Sequence, residues 1–216
     1  MKQYNSKSRK QHPFDLVFAE GNPKYLVIGS FPTTENKMSF TFFYPNSNNK
    51  FWKVLSQVFP NSKTKLNLEV SIKDKTETKE QNAVDRKNFC KENEIAMSDM
   101  MESCIRLNDN SKDEQLLVHR YNSIIDILKK YESIERIVIT AKSLGASANH
   151  HFYQYLTMNE VGYTIDVSNE ICKGCIEVGG REITIYSVDS TSSLNSHVDE
   201  NDLIQLYKKA FSQNGE

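Results

Sequence analysis

Apolar residues follow two rhythms along the chain. Four short runs, Tyr25–Ser30, Ile95–Asp99, Arg136–Thr140 and Ile183–Val188, are continuous rather than alternating, as expected of strands covered on both faces. Between them the spacing becomes helical. Lys50–Phe59 sets Phe51, Val54, Leu55 and Val58 on one face, and Asp113–Tyr131 repeats Leu117, Tyr121, Ile124, Ile125 and Leu128. Lys142–Leu156 and Glu200–Phe211 complete the helical set. Strands alternating with helices predict an α/β fold, a three-layer α/β/α sandwich around a central, mainly parallel four-stranded sheet.

Two stretches interrupt that alternation. Asn61–Lys87 holds few large apolar residues and much Lys, Thr, Glu and Asn. It predicts a polar surface insertion followed by a short helix around Ala83–Asn93. Thr164–Ile185 predicts a hairpin, with turns at Lys173-Gly174 and Gly179-Gly180. With no internal repeat and no linker, residues 1–216 are expected to form a single domain carrying a basic N-terminal tail over about residues 1–12.

Composition narrows the class. At 216 residues, 38% hydrophobic and 25% charged, the chain suits one soluble domain with a substantial core. No apolar run approaches the ~20 residues that span a bilayer. The opening MKQYNSKSRKQHPF is basic but has no apolar signal stretch. A cytoplasmic protein without a membrane partner is therefore expected. The net charge of −1 argues neither for nor against nucleic acid, and Lys2, Lys7, Arg9 and Lys10 cluster at the start. That cluster could meet a phosphate backbone, but a solvated tail is the favoured reading.

Several chemistries lack their residues. Of the four cysteines, 90, 104, 172 and 175, only Cys172-Lys-Gly-Cys175 has metal-like spacing, and no second pair completes four ligands. No GxGxxG follows the first strand, and neither GxxxxGK[ST] nor GxSxG occurs. Neither a metal nor a nucleotide cofactor is expected, and the His150-His151 pair has no partner motif.

Open parallel sheets bind ligands beyond the carboxyl ends of their strands. Three such ends are chemically loaded here: Gly29-Ser30-Phe31-Pro32-Thr33-Thr34, Ser98-Asp99, and Asp189-Ser190-Thr191-Ser192-Ser193-Leu194-Asn195. They predict a crevice of amides, hydroxyls, backbone groups and aromatic faces, suited to a flat, uncharged heterocycle.

Those same residues carry a family resemblance. "LVIGSFPTTENKMSFTFFYPNSNNKFWKVL" resembles the opening of the uracil-DNA glycosylase superfamily, in the branch of hypoxanthine-DNA (deoxyinosine) glycosylases and mismatch-specific uracil enzymes. There a strand ends in a Gly-Ser-Phe/Met-Pro-type loop, and an aromatic turn leads to His-Pro-x-Asn-x-Phe-Trp. "NEIAMSDMMESCIR" resembles the family's GIALWDVL strand and turn, with Asp99 on its Asp. "YSVDSTSSLNSHV" resembles the terminal Pro-Ser-Thr-Ser-Pro-Ala-Asn loop. The three matches occur in family order. The chain departs in carrying Tyr44-Pro45 for His-Pro, two extra residues before Asn49, and Asp189 and Ser193 for two prolines. A carboxylate at 189 repels phosphate.

The resemblance implies a monofunctional DNA glycosylase that flips a deaminated base, uracil or hypoxanthine, and hydrolyses its N-glycosidic bond without metal or covalent intermediate. DNA containing the damaged base is the implied partner and the protein a monomer. Asn49 carries over as the catalytic amide, with Asn48 its neighbour in register and an N-cap as its structural alternative. Asp99 orients a pocket group or water, or caps a helix. Gly29, Ser30, Phe31, Pro32 and Thr33 supply base contacts. Phe42 falls at the stacking position, with Phe43 and Tyr44 as alternatives and core packing beside Phe40 and Trp52 as the structural one. Ser190, Thr191 and Ser192 suit phosphates, Leu194 and Asn195 a wedge entering the duplex, and His197 lies close by. Rival readings are a non-catalytic nucleic-acid-binding relative and a hydrolase of free nucleosides.

Overall fold

Apolar continuity at residues 25–29 and 95–99 builds the centre of the molecule. In the computed structural model, which describes residues 9–107, 112–167, 170–193, 195 and 197–212, every residue of both strands is buried. The elements in chain order are β1 (Lys10–Gln11), β2 (Val17–Phe18), β3 (Tyr25–Gly29), α1 (Phe51–Val58), α2 (Thr76–Glu92), β4 (Ile95–Asp99), β5 (Met101–Arg106), β6 (Leu116–Tyr121), α3 (Ile124–Lys130), β7 (Arg136–Ile139), α4 (Ala148–Met158), β8 (Tyr163–Asp166), β9 (Cys172–Val178), β10 (Arg181–Ser187) and α5 (Glu200–Phe211).

The main sheet corrects the expected four-stranded, mainly parallel one. It is mixed and seven-stranded, in the order β2-β4-β3-β7-β10-β9-β8, and a separate three-stranded sheet runs β1-β5-β6. The four strands read from sequence stand side by side and parallel, with Val27 opposite Met97 and Val138. The additions at the edges are antiparallel: β2 on β4, β9 on β10, β8 on β9. Their signals are weak for a physical reason. β2 has two residues, and β8 is mostly exposed, so neither needs an apolar run.

Two further expectations change. Gly174 is no turn but the middle of β9, where an added Cβ would lie 2.3 Å from the Thr164 carbonyl oxygen of β8. The glycine permits close strand approach. The turn at Gly179-Gly180 stands, both residues having positive φ. The helix expected over Asp113–Tyr131 is a 3-10 turn, then β6, then α3. Within it Leu116 is buried and Leu117, counted on the expected helical face, is exposed, so Leu117 matched the helical period by coincidence. α2 begins at Thr76, inside the stretch expected as surface connection. It packs through Ala83, Phe89, Cys90 and, unusually, Arg86. The Arg86 guanidinium lies 4.0 Å from the Phe40 ring centroid and donates to the Asn82 and Asn67 carbonyls. Arginine in an apolar seat hides the helical period from hydropathy.

Successive strand residues point to opposite faces, so each face has its own core. Val27 joins residues of α1, α2 and α5, whereas Leu26 and Ile28 join those of α3 and α4. Among the described residues, no helix is long and apolar enough to cross a membrane.

Candidate functional site

The carboxyl ends of β3, β4, β7 and β10 open on one cleft of about 690 Å³. Gly29, Ser30, Phe31, Pro32, Thr33, Tyr44, Asn49, Asp99, Ser190, Thr191 and Ser192 all line it. The loop leaving β3 is anchored because the Gly29 and Ser30 carbonyls accept the Met100 and Met101 N–H groups. Gly29 has no room for a side chain. A Cβ there would lie 2.3 Å from Asp99 Oδ1 and 2.8 Å from the Tyr44 hydroxyl.

Tyr44 holds φ at 53°, in the left-handed region, at a cost of roughly 1 kcal/mol or more. Two contacts fix it there. Its ring stacks on Phe51 at 3.8 Å between centroids, and its hydroxyl meets Thr140 Oγ1 at 2.7 Å. Burial, with the nearby Asp99 carboxylate, raises the phenol well above its ordinary value, so it stays neutral.

Asn49 stands just before α1, and its Oδ1 accepts twice: from Phe51 N–H at 2.9 Å and from the Thr191 hydroxyl at 2.7 Å. The backbone donor fixes which end of the amide is oxygen. Asn49 stands one position before the N-cap, Lys50, and its oxygen closes an Asx turn onto Phe51 N–H, which leaves Nδ2 without a partner among the described residues. Asn49 can donate to a ligand but has no acceptor left to orient water. Asn48 does not line the cleft; its N–H donates to Asn46 Oδ1.

Asp99 is buried at the cleft floor. Its Oδ2 lies 3.0 Å from His12 Nε2, with the side chains 8% and 1% exposed. His12 Nδ1 donates to the Phe14 carbonyl at 2.8 Å, which leaves Nε2 to share a proton with the carboxylate. Asp99 lines the cleft, and its Oδ1 packs against Gly29.

The remaining expected residues separate. Phe42 is in the core, 5.2 Å from the rings of Phe18 and Phe43 and 5.9 Å from Trp52. The structure does not bring it, or Phe43, to the cleft: the Phe42 ring packs between Phe18 of β2 and Trp52 of α1, and the Phe43 ring packs on Phe14 and His12. The aromatics that line the cleft are Phe31 and Tyr44. Thr191 is buried with its hydroxyl on Asn49, so it positions the amide and has no hydroxyl proton for a phosphate. Ser190 and Ser192 line the cleft, linked by a Ser192 N–H to Ser190 Oγ bond. Asn195 lies behind them, donating to the Ser190 carbonyl. Leu194 lies outside the described residues, and His197 is exposed and away from the cleft. Asp189 pairs with Lys142 at 2.9 Å, which offsets the repulsion expected of that carboxylate.

Three side chains beside the cleft were missed from sequence, and of these Asp113 lines it while the other two pack behind the lining. Besides His12 they are Arg106, which donates to the Pro32 carbonyl and stands 5.3 Å from the Phe31 ring, and Asp113, which accepts from the Ser30 hydroxyl at 2.6 Å. All come from the N-terminal segment or the second sheet, and no local motif marks them. Cys172 and Cys175 lie three apart in one strand and so on opposite faces. Among the described residues no cluster of three or more His, Cys, Asp or Glu could hold a metal ion. Searches against protein-family models, curated proteins and solved structures found no match for this chain.

Proposed function

We propose that the cleft is the active site of a DNA base-excision glycosylase that hydrolyses the N-glycosidic bond of a flipped, deaminated base, uracil or hypoxanthine. The observation that supports this most is the state of Asn49. Its oxygen is doubly occupied, so the amide presents only its NH2 to a cleft that also holds the Asp99 carboxylate. Bond breaking places negative charge on the departing base and positive charge on the sugar. The Asn49 NH2 donates to a base oxygen as that charge grows. Asp99, paired through Oδ2 with His12, takes a proton from water through Oδ1. Phe31 and Tyr44 supply faces for the base. The resemblance of the three loops to the uracil-DNA glycosylase superfamily points the same way.

A second reading, hydrolysis of free nucleosides, draws on one observation. Asp113 and Glu114 line the same cleft, and carboxylates at a mouth repel DNA phosphate. Both readings meet one experiment. Duplexes and single strands carrying uracil, hypoxanthine or xanthine are incubated with the protein, treated with alkali and examined for strand breaks, with free nucleosides assayed in parallel. Cleavage of DNA lowered about 100- to 1,000-fold by Asn49→Asp supports the glycosylase. Aspartate retains the oxygen that accepts from Phe51 N–H, so that variant should keep the wild-type thermal midpoint. Turnover of nucleosides alone selects the second reading, and binding without abasic sites would leave only a non-catalytic nucleic-acid-binding protein.

A further inference from the structure

Asp113 begins the 3-10 turn Asp113–Gln115 that leads into β6 and brings the second sheet to the cleft. Its Oδ1 accepts the Ser30 hydroxyl at 2.6 Å, and its Oδ2 has no partner among the described residues. One cleft therefore holds two carboxyl groups in unlike surroundings. Asp99 faces the imidazole of His12, whereas Asp113 is held by a neutral hydroxyl. Burial pushes Asp113 up to about 6; the Ser30 hydrogen bond works against that, the Asp99 carboxylate adds to it, and Arg106 opposes it. Lys112 and Glu114 flank it on its own turn. Unlike environments for two carboxyls divide them into a base and an acid.

We infer that Asp113 is the general acid of this site and protonates a ring nitrogen of the departing base while Asp99 deprotonates water. The inference rests on the glycosidic reading above. In the step, the Asp113 O–H proton passes to N7 of a purine, and the C1′–N9 bond breaks with its electron pair moving to the base. The water oxygen bonds to C1′ and its proton goes to Asp99. The free purine and a 1′-hydroxyl sugar leave, and proton exchange with solvent restores both carboxyls. A pyrimidine such as uracil has no counterpart of N7 and departs as an anion, against the Asn49 NH2. Asp113 thus fits a 6-oxopurine, the class that contains hypoxanthine.

Single-turnover excision from duplexes carrying hypoxanthine or 5-fluorouracil, measured across pH, tests this. For the wild-type protein, hypoxanthine excision should fall as pH rises above about 6, approaching about tenfold per unit, while 5-fluorouracil excision lacks that fall. Asp113→Asn should lower hypoxanthine excision by about 100-fold or more, and 5-fluorouracil excision less than about tenfold, and it should remove the pH limb. Equal losses on both substrates, or parallel wild-type pH profiles, overturn the role of Asp113 and leave the glycosidic reading intact. The wild-type profiles decide even if the variant folds poorly. Excision of 5-fluorouracil without any of hypoxanthine also overturns it. No release of base from DNA or nucleoside brings down both readings together.

Discussion

The two walls of the cleft are made in different ways. One is the row of strand ends, Gly29–Thr33, Asp99, Thr140 and Ser190–Ser192, each within a few positions of a continuous apolar run. The other is the turn at residues 112–114 that leads into the second sheet, with His12 and Arg106 packed behind the lining. His12, Asp113 and Arg106 reach their partners on the first wall across 87, 83 and 74 residues of chain. Apart from Asp99, the strand-end wall offers hydroxyls, backbone groups and rings, and the partners His12, Asp113 and Arg106 come from distant segments. A frame of this kind forms from local sequence, while its electrostatics depend on contacts that only the completed fold supplies.

The largest test of that contrast is His12→Ala. It leaves the Asp99 carboxylate buried without the imidazole on Oδ2. Removing one partner of a buried pair typically costs about 3–5 kcal/mol, which for a domain of this size lowers the thermal midpoint by roughly 10 °C. Calorimetry at pH 7 checks this, and adding Asp99→Asn to the His12 variant should recover part of the loss because no buried charge remains. A midpoint within about 2 °C of wild type would make His12 a covering rather than a partner.

Asp113→Asn is expected to act in the opposite direction. Its carboxyl rises from 3.8 to about 6 on folding, so the folded state favours the protonated form. The resulting stabilisation is complete below about pH 4 and lost as pH rises through about 6. At pH 8 the wild-type protein holds an ionised carboxyl that burial disfavours, and neutral asparagine does not. The variant should gain about 1–2 kcal/mol at pH 8, after allowance for solvent at the cleft, and the gain should vanish below pH 4. Urea midpoints at pH 8 and pH 3.5 give the comparison. A stability gain alongside lost excision is what a residue kept for chemistry shows.

Legibility in the sequence follows the same division. Strands 25–29, 95–99, 136–139 and 181–187 were readable because burial on both faces demands unbroken apolar runs, and their ends located the cleft. The seven-stranded, mixed sheet was not, since β2 and β8 meet solvent or run for two to four residues. Leu117 and Tyr121 fall at helical spacing with Ile124 and Leu128 and suggest a helix where β6 lies, which hides the hairpin that carries Asp113. His12 sits in a stretch that looked like solvated tail, and nothing next to it in sequence refers to Asp99. Phe42 was assigned by register to the stacking position, but an aromatic beside Phe18, Phe43 and Trp52 gains more from the core.

The smallest effect is predicted on the strand-end wall itself. Thr191→Val removes the hydroxyl that ties the loop after β10 to Asn49 Oδ1, while keeping the shape of a buried side chain. Asn49 Oδ1 still accepts from Phe51 N–H at 2.9 Å, and the Thr191 carbonyl still accepts from Lys50 N–H at 3.0 Å. With two ties remaining, the loss should be about 1 kcal/mol, several times less than for His12→Ala, and denaturant midpoints measured side by side resolve the two. Excision should fall more than stability implies, because the hydroxyl holds the plane of the amide and so the direction of its NH2. A larger stability loss than His12→Ala would reverse the contrast between the walls, making the neutral frame, rather than the distant charges, the part of the cleft most sensitive to a single lost contact.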